Sequence, residues 1–109
     1  MKTSELTGDK LDYWVAKAQG WNLDTEYDDR CNQYTALTGR RFYTPSTNWQ
    51  QCGELIEKFE ADLGPFHSQQ WIACVWSGSE EFSMDGITPQ EAICRAVVAS
   101  VYGEEVPND

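Results

Sequence analysis

No stretch of the chain approaches the about 20 consecutive apolar residues that a membrane span needs. The first residues, Met1-Lys2-Thr3-Ser4-Glu5, lead into a polar helix start and not into the apolar core of a signal peptide. A cytoplasmic location is therefore expected. Basic residues are scarce, with 8 Lys and Arg against 18 Asp and Glu and a formal net charge of -10. A surface of that sign repels phosphate backbones, so direct nucleic-acid binding is not expected. The same charge suits solubility, attraction to a basic partner surface, or competition for a site that normally takes DNA. Cys31, Cys52, Cys74 and Cys94 form no CxxC pair and show no Cys/His spacing for zinc. They read as free thiols, mostly core, in keeping with a reducing compartment. The only histidine, His67, follows Gly64-Pro65 with no motif tying it to a nucleophile, and no GxSxG is present. With no such signature, neither enzymatic activity nor a catalytic residue, metal or cofactor is expected.

What is present is enough for one core. At 109 residues the chain fits a single domain, residues 1–109, because two cores would leave each half too small to offset its ordering entropy. A hydrophobic share of 40% and five Trp supply the apolar area.

Hydrophobic spacing predicts a first helix over Thr7 to Gln19, with Leu11, Trp14, Val15 and Ala18 on one face and Asp9, Lys10, Asp12, Lys17 and Gln19 on the solvated side. From Trp21 to Thr38 the periodicity fades into a long loop or irregular hairpin carrying Asp24, Glu26, Asp28 and Asp29. Arg40 to Thr44 has the composition of a short strand. Pro45-Ser46-Thr47 followed by Gln50 predicts a second helix capped by Thr47, with Trp49, Cys52, Ile56, Phe59 and Leu63 on one face and Gly64-Pro65 as its stop. His67 to Trp76 reads as a central strand apolar on both faces, and Ser77-Gly78-Ser79 as a turn into a second strand, Glu80 to Met84. Thr88, Pro89 and Glu91 predict the start of a third helix that runs to Tyr102 and is the most buried, with Ile93, Ala96, Val97, Ser100 and Val101 as its main stripe. Residues 104–109 read as a frayed acidic tail. The expected class is α+β, a small α/β/α sandwich of order α-β-α-β-β-α with helices on both faces of a short, mostly antiparallel sheet.

Three blocks in series carry a resemblance. They are Thr3-Ser4-Glu5-Leu6-Thr7-Gly8 continuing to Leu11-Asp12-Tyr13-Trp14-Val15-Ala16-Lys17-Ala18, then Tyr43-Thr44-Pro45-Ser46-Thr47-Asn48-Trp49, then Thr88-Pro89-Gln90-Glu91-Ala92-Ile93-Cys94-Arg95-Ala96. Together they resemble the NinX-like proteins of tailed phages and prophages and the related phage ABA (α/β/α) sandwich domain. The resemblance implies a phage or prophage source and expression in a bacterial host cytoplasm. It implies no particular activity and carries over no catalytic residue.

Two candidate sites follow from the residues. Arg40, Arg41, Tyr43, Ser46, Thr47 and Trp49 place guanidinium groups, hydroxyls and large aromatics beside a helix N-terminus, where free N–H groups and the helix dipole favour a nucleotide-like anion. The plainer reading makes Ser46 or Thr47 a cap and Trp49 a core residue. Trp21 with Asp24, Glu26, Asp28 and Asp29 forms the second candidate, a contact surface for a host or phage protein. The acidic run lacks the glycine and final glutamate of an EF-hand, so it is expected to be solvated, not metal-binding. A non-catalytic protein binder is the leading expectation, with the nucleotide-like ligand second and a cation-dependent hydrolase last.

Overall fold

A computed structural model describes residues 1–21, 24–28, 33–38, 41–67 and 69–107, with the backbone alone for 24–28, 33–38, 41 and 42. A single 3-10 turn, Thr3–Glu5, precedes helix α1, Gly8–Ala18. Strands β1, Asp24–Asp28, β2, Gln33–Thr38, and β3, Arg41–Tyr43, form one antiparallel sheet in that order. Helix α2, Trp49–Phe59, leads to a second antiparallel sheet of β4, Asp62–Pro65, β5, Trp71–Ser77, and β6, Glu80–Gly86. Helix α3, Pro89–Tyr102, closes the chain. The molecule is a compact α+β fold with a radius of gyration of 13.1 Å.

Helix α3 starts as its sequence predicts: the Thr88 hydroxyl accepts from the Glu91 amide, and Pro89 opens the first turn. Ala92, Ile93, Cys94, Ala96, Val97, Val98 and Ala99 are all buried, so α3 is apolar around most of its circumference and occupies the centre. One side of α3 packs on β5 and β6, and α1 and α2 pack against the helix elsewhere. An element apolar on nearly all sides belongs in the middle layer. Strand β5 is the central strand of the β4–β6 sheet, as expected, and among the described residues α3 packs on one face of that sheet. Ala73 and Val75 are buried on that face, whereas Ile72 and Cys74 are half-buried and Trp76 is exposed on the other.

Several boundaries differ from expectation. Trp21 to Thr38 contains a regular hairpin, with Asp24 opposite Leu37 and Asp28 opposite Gln33. Asn48, not Thr47, caps α2, accepting from the Gln51 amide, because Thr44 to Thr47 forms a turn closed on the Thr44 carbonyl. Leu55 joins Cys52 on the buried side of α2, while Trp49, in the first turn, is exposed. The helix ends at Phe59, where Glu60 takes a left-handed conformation (φ 52°) and the Ala61 amide donates to Ile56. Leu63 is thus in β4, opposite Ala73, and not on α2. The expected strand from His67 starts only at Trp71, because His67 and Gln69 have positive φ and the Phe66 amide donates to Gln70 in a turn. The hairpin at Gly78-Ser79 is as expected, with Gly78 supplying the positive φ that a two-residue loop requires. Val101 is exposed, and Asp12, expected on the wet side of α1, is buried.

The acidic end is not frayed as far as Val106. The Thr3 amide donates to Glu104, the Val106 amide to Met1, and the Thr3 hydroxyl to Gly103. Val106 is buried in the core. Arg95 clamps the same region: its guanidinium donates to the carbonyls of Leu6 and Asp85 and pairs with Glu91 at 3.3 Å.

Candidate functional site

Strand β3 delivers Tyr43 into the core, and the turn after it brings Ser46 against α1. The Ser46 amide donates to the Asp12 carboxylate at 2.8 Å. Burial raises the Asp12 pKa from 3.8 to about 6, opposed by the hydrogen bond from the Ser46 amide. The turn ahead of α2 thus holds a carboxylate supplied by the chain itself. The Tyr43 hydroxyl accepts from the Gln19 side chain at 2.8 Å, and burial pushes its pKa well above the ordinary phenol range. Tyr43 and Ser46 face inward, while Thr47 and Trp49 are exposed and Trp49 presents 53% of its surface. Arg41 lies on β3, and the expected role of Arg40 falls outside the described residues. The six residues of the anion candidate are therefore divided, with two directed into the core and two into solvent.

Trp21 follows the end of α1 and meets the Tyr43 ring edge-to-face at a centroid separation of 4.8 Å. The Lys58 ammonium, from α2, lies 5.7 Å from the Trp21 ring and donates to the Gln19 side-chain amide oxygen at 3.1 Å. Gln19 thus bridges Tyr43 and Lys58, and the indole is held between them with 37% of its surface exposed. Strand β1 begins three residues later, as an edge strand, with Asp24, Glu26 and Asp28 at alternate positions and hence on one face. Asp29 lies outside the described residues.

The chain matches the family model described as Bacteriophage P22, NinX over residues 2–101. It belongs to the NinX family. No curated protein matches it. The family match spans α1 to α3, so it includes both candidate sites.

The partners of these residues were partly hidden in the sequence. Asp12 was invisible as a buried acceptor because its acceptor role depends on a turn 34 residues away. Its spacing from buried Ala16, one turn on, was the single available hint. Gln19 and Lys58 were likewise legible only as surface residues. Cys52 and Cys94 are buried free thiols that hydrogen-bond to each other, and burial pushes the Cys94 thiol up. Cys74 is a half-buried free thiol on β5, and Cys31 is outside the described residues. His67 is exposed, with its ring 4.2 Å from that of Phe66. Among the described residues no group of His, Cys, Asp and Glu is arranged to hold a metal ion, and no helix is long and apolar enough to cross a membrane.

Proposed function

We propose that this NinX-family chain is a phage accessory protein that acts without catalysis, by binding a host or phage protein through a basic surface on that partner. The carrying observation is Trp21, a half-exposed indole fixed between Tyr43 and Lys58 and placed directly before an acidic edge strand. A pre-positioned aromatic loses little conformational freedom on binding, and tryptophan is enriched among residues that dominate interface energetics. Acidic residues in that strand steer a basic partner and set specificity, while the net charge of -10 acts at longer range. The nucleotide-like anion reading has less support, because the Ser46 amide already serves Asp12 and Tyr43 is buried.

The test is affinity capture from host and phage-infected lysate at low salt. The expected result is a complex that weakens with salt and is lost on Trp21→Ala or on Asp24→Asn, Glu26→Gln and Asp28→Asn combined. Capture of nothing at low salt counts against the reading. Thermal unfolding against a nucleotide panel checks the alternative: a shift of several degrees abolished by Arg40→Ala and Arg41→Ala would restore it.

A further inference from the structure

The outer face of the β4–β6 sheet has a chemistry that the Trp21 surface does not explain. Along β5, Ile72 and Cys74 lie half-buried on this side and Trp76 presents 53% of its surface. Gly64 stands opposite Ile72 on β4, and a Cβ added there would meet nothing within 4 Å, so the flank of Ile72 is open. The result is a shallow apolar strip ending in an exposed indole. Glu81 is the cross-strand neighbour of Trp76. Its carboxylate accepts from the Ser83 hydroxyl at 3.1 Å, and the Ser83 oxygen lies 3.1 Å from the Cys74 sulfur. With the single Ser83 proton given to Glu81, Cys74 is the donor to Ser83. Glu81, tied to Ser83, thus stands across the strand pair from an exposed indole.

That pairing is selective for a cation. A guanidinium stacked on Trp76 gains cation–π attraction while its N–H groups reach Glu81, and its aliphatic stem can cover the apolar strip. The strands themselves carry one sign of charge apart from His67: residues 62–86 include Asp62, Glu80, Glu81 and Asp85 and contain neither Lys nor Arg. A second copy of the chain would set these carboxylates against one another, which disfavours self-association through this face.

We infer that the outer face of the β4–β6 sheet, centred on Trp76 and Glu81, docks an arginine-bearing segment of a partner protein. The surface is separate from β1, so it stands independently of the Trp21 reading. The probe is a fluorescently labelled hexaarginine peptide titrated against the full chain by anisotropy. Trp76→Ala is expected to weaken binding about tenfold and Glu81→Gln about fivefold. Glu57→Gln, an equal charge change on exposed α2, is expected to change it less than about twofold. Both surface variants leave the buried core untouched, and circular dichroism confirms their fold.

Absence of binding overturns the inference, as does an unchanged affinity for Trp76→Ala. Equal losses for Glu57→Gln and Glu81→Gln would show that net charge alone attracts the peptide, and would also overturn it. Loss of binding in the Asp24→Asn, Glu26→Gln, Asp28→Asn variant with Trp76→Ala unaffected would place the peptide on β1. That result sinks this inference and leaves the Trp21 reading standing. A concentration-dependent dimer in sedimentation that Trp76→Ala dissolves would assign the face to a second copy instead.

Discussion

The Asp12 carboxyl accepts the Ser46 amide from within the core, and burial raises its pKa from 3.8 to about 6. The folded state therefore holds a proton on Asp12 more tightly than the unfolded chain does. Stability from this group is fully present below about pH 4, falls as pH rises toward 6, and is flat above that. A pKa rise of that size corresponds to about 3 kcal/mol. Asn keeps an oxygen that can accept from Ser46 but carries no charge. Asp12→Asn is thus expected to stabilise the protein at pH 7.5 by about 1–3 kcal/mol and to flatten the pH dependence between pH 4 and 6. Urea unfolding of both proteins at the two pH values measures this, and equal slopes would show that Asp12 does not titrate in this window. The sequence disclosed the carboxylate but not its burial, because its polar neighbours Asp9 and Lys10 make that side of α1 look wet.

Elements meet most tightly where β6 passes into α3. A Cβ on Gly86 would lie 2.7 Å from the Ala92 backbone nitrogen and 3.0 Å from the Glu91 Cβ, so neither strand nor helix can yield cheaply. Gly86→Ala is expected to cost about 1–3 kcal/mol by forcing α3 off the sheet, read as a lower denaturant midpoint. Thr88→Ala removes the cap of the same helix and is expected to cost about 1 kcal/mol, whereas Thr88→Ser should retain most of that stability. The α3 signals were local, so Thr88, Pro89 and Glu91 revealed them in the sequence. Those of α2 were ambiguous, since Leu63 fits a helical stripe and a strand equally well. Pairing of Asp62 with Cys74 and Leu63 with Ala73 resolved the ambiguity in favour of β4.

Across the whole molecule, the two ends of the chain meet, with Thr3 bonded to Gly103 and Glu104 and Val106 bonded to Met1 and buried. Deleting residues 104–109 removes that seam and a buried Val worth about 1.5–3 kcal/mol. The thermal midpoint is expected to fall by several degrees, while deletion of 107–109 leaves it unchanged. Equal midpoints for both truncations would show that the seam contributes nothing. The net charge of -10 adds mutual repulsion throughout the molecule. That charge was legible from composition, but which acidic residues share a sheet face was not, because it depends on which strands pair.

Composition and local pattern determined the α+β class, the three helices and the Gly78 hairpin, since caps, periodicity and turn residues act within a few positions of themselves, and the three residue blocks carried the resemblance to NinX-like proteins. The family match over residues 2–101 agrees with that reading. Tertiary structure alone decided that Asp12 is inside and that Trp49 and Trp76 remain exposed. These indoles are as apolar as that of Trp14, which the periodicity of α1 placed on its inner face. Their fates were set by where other elements pack, and that depends on contacts between residues far apart in the chain.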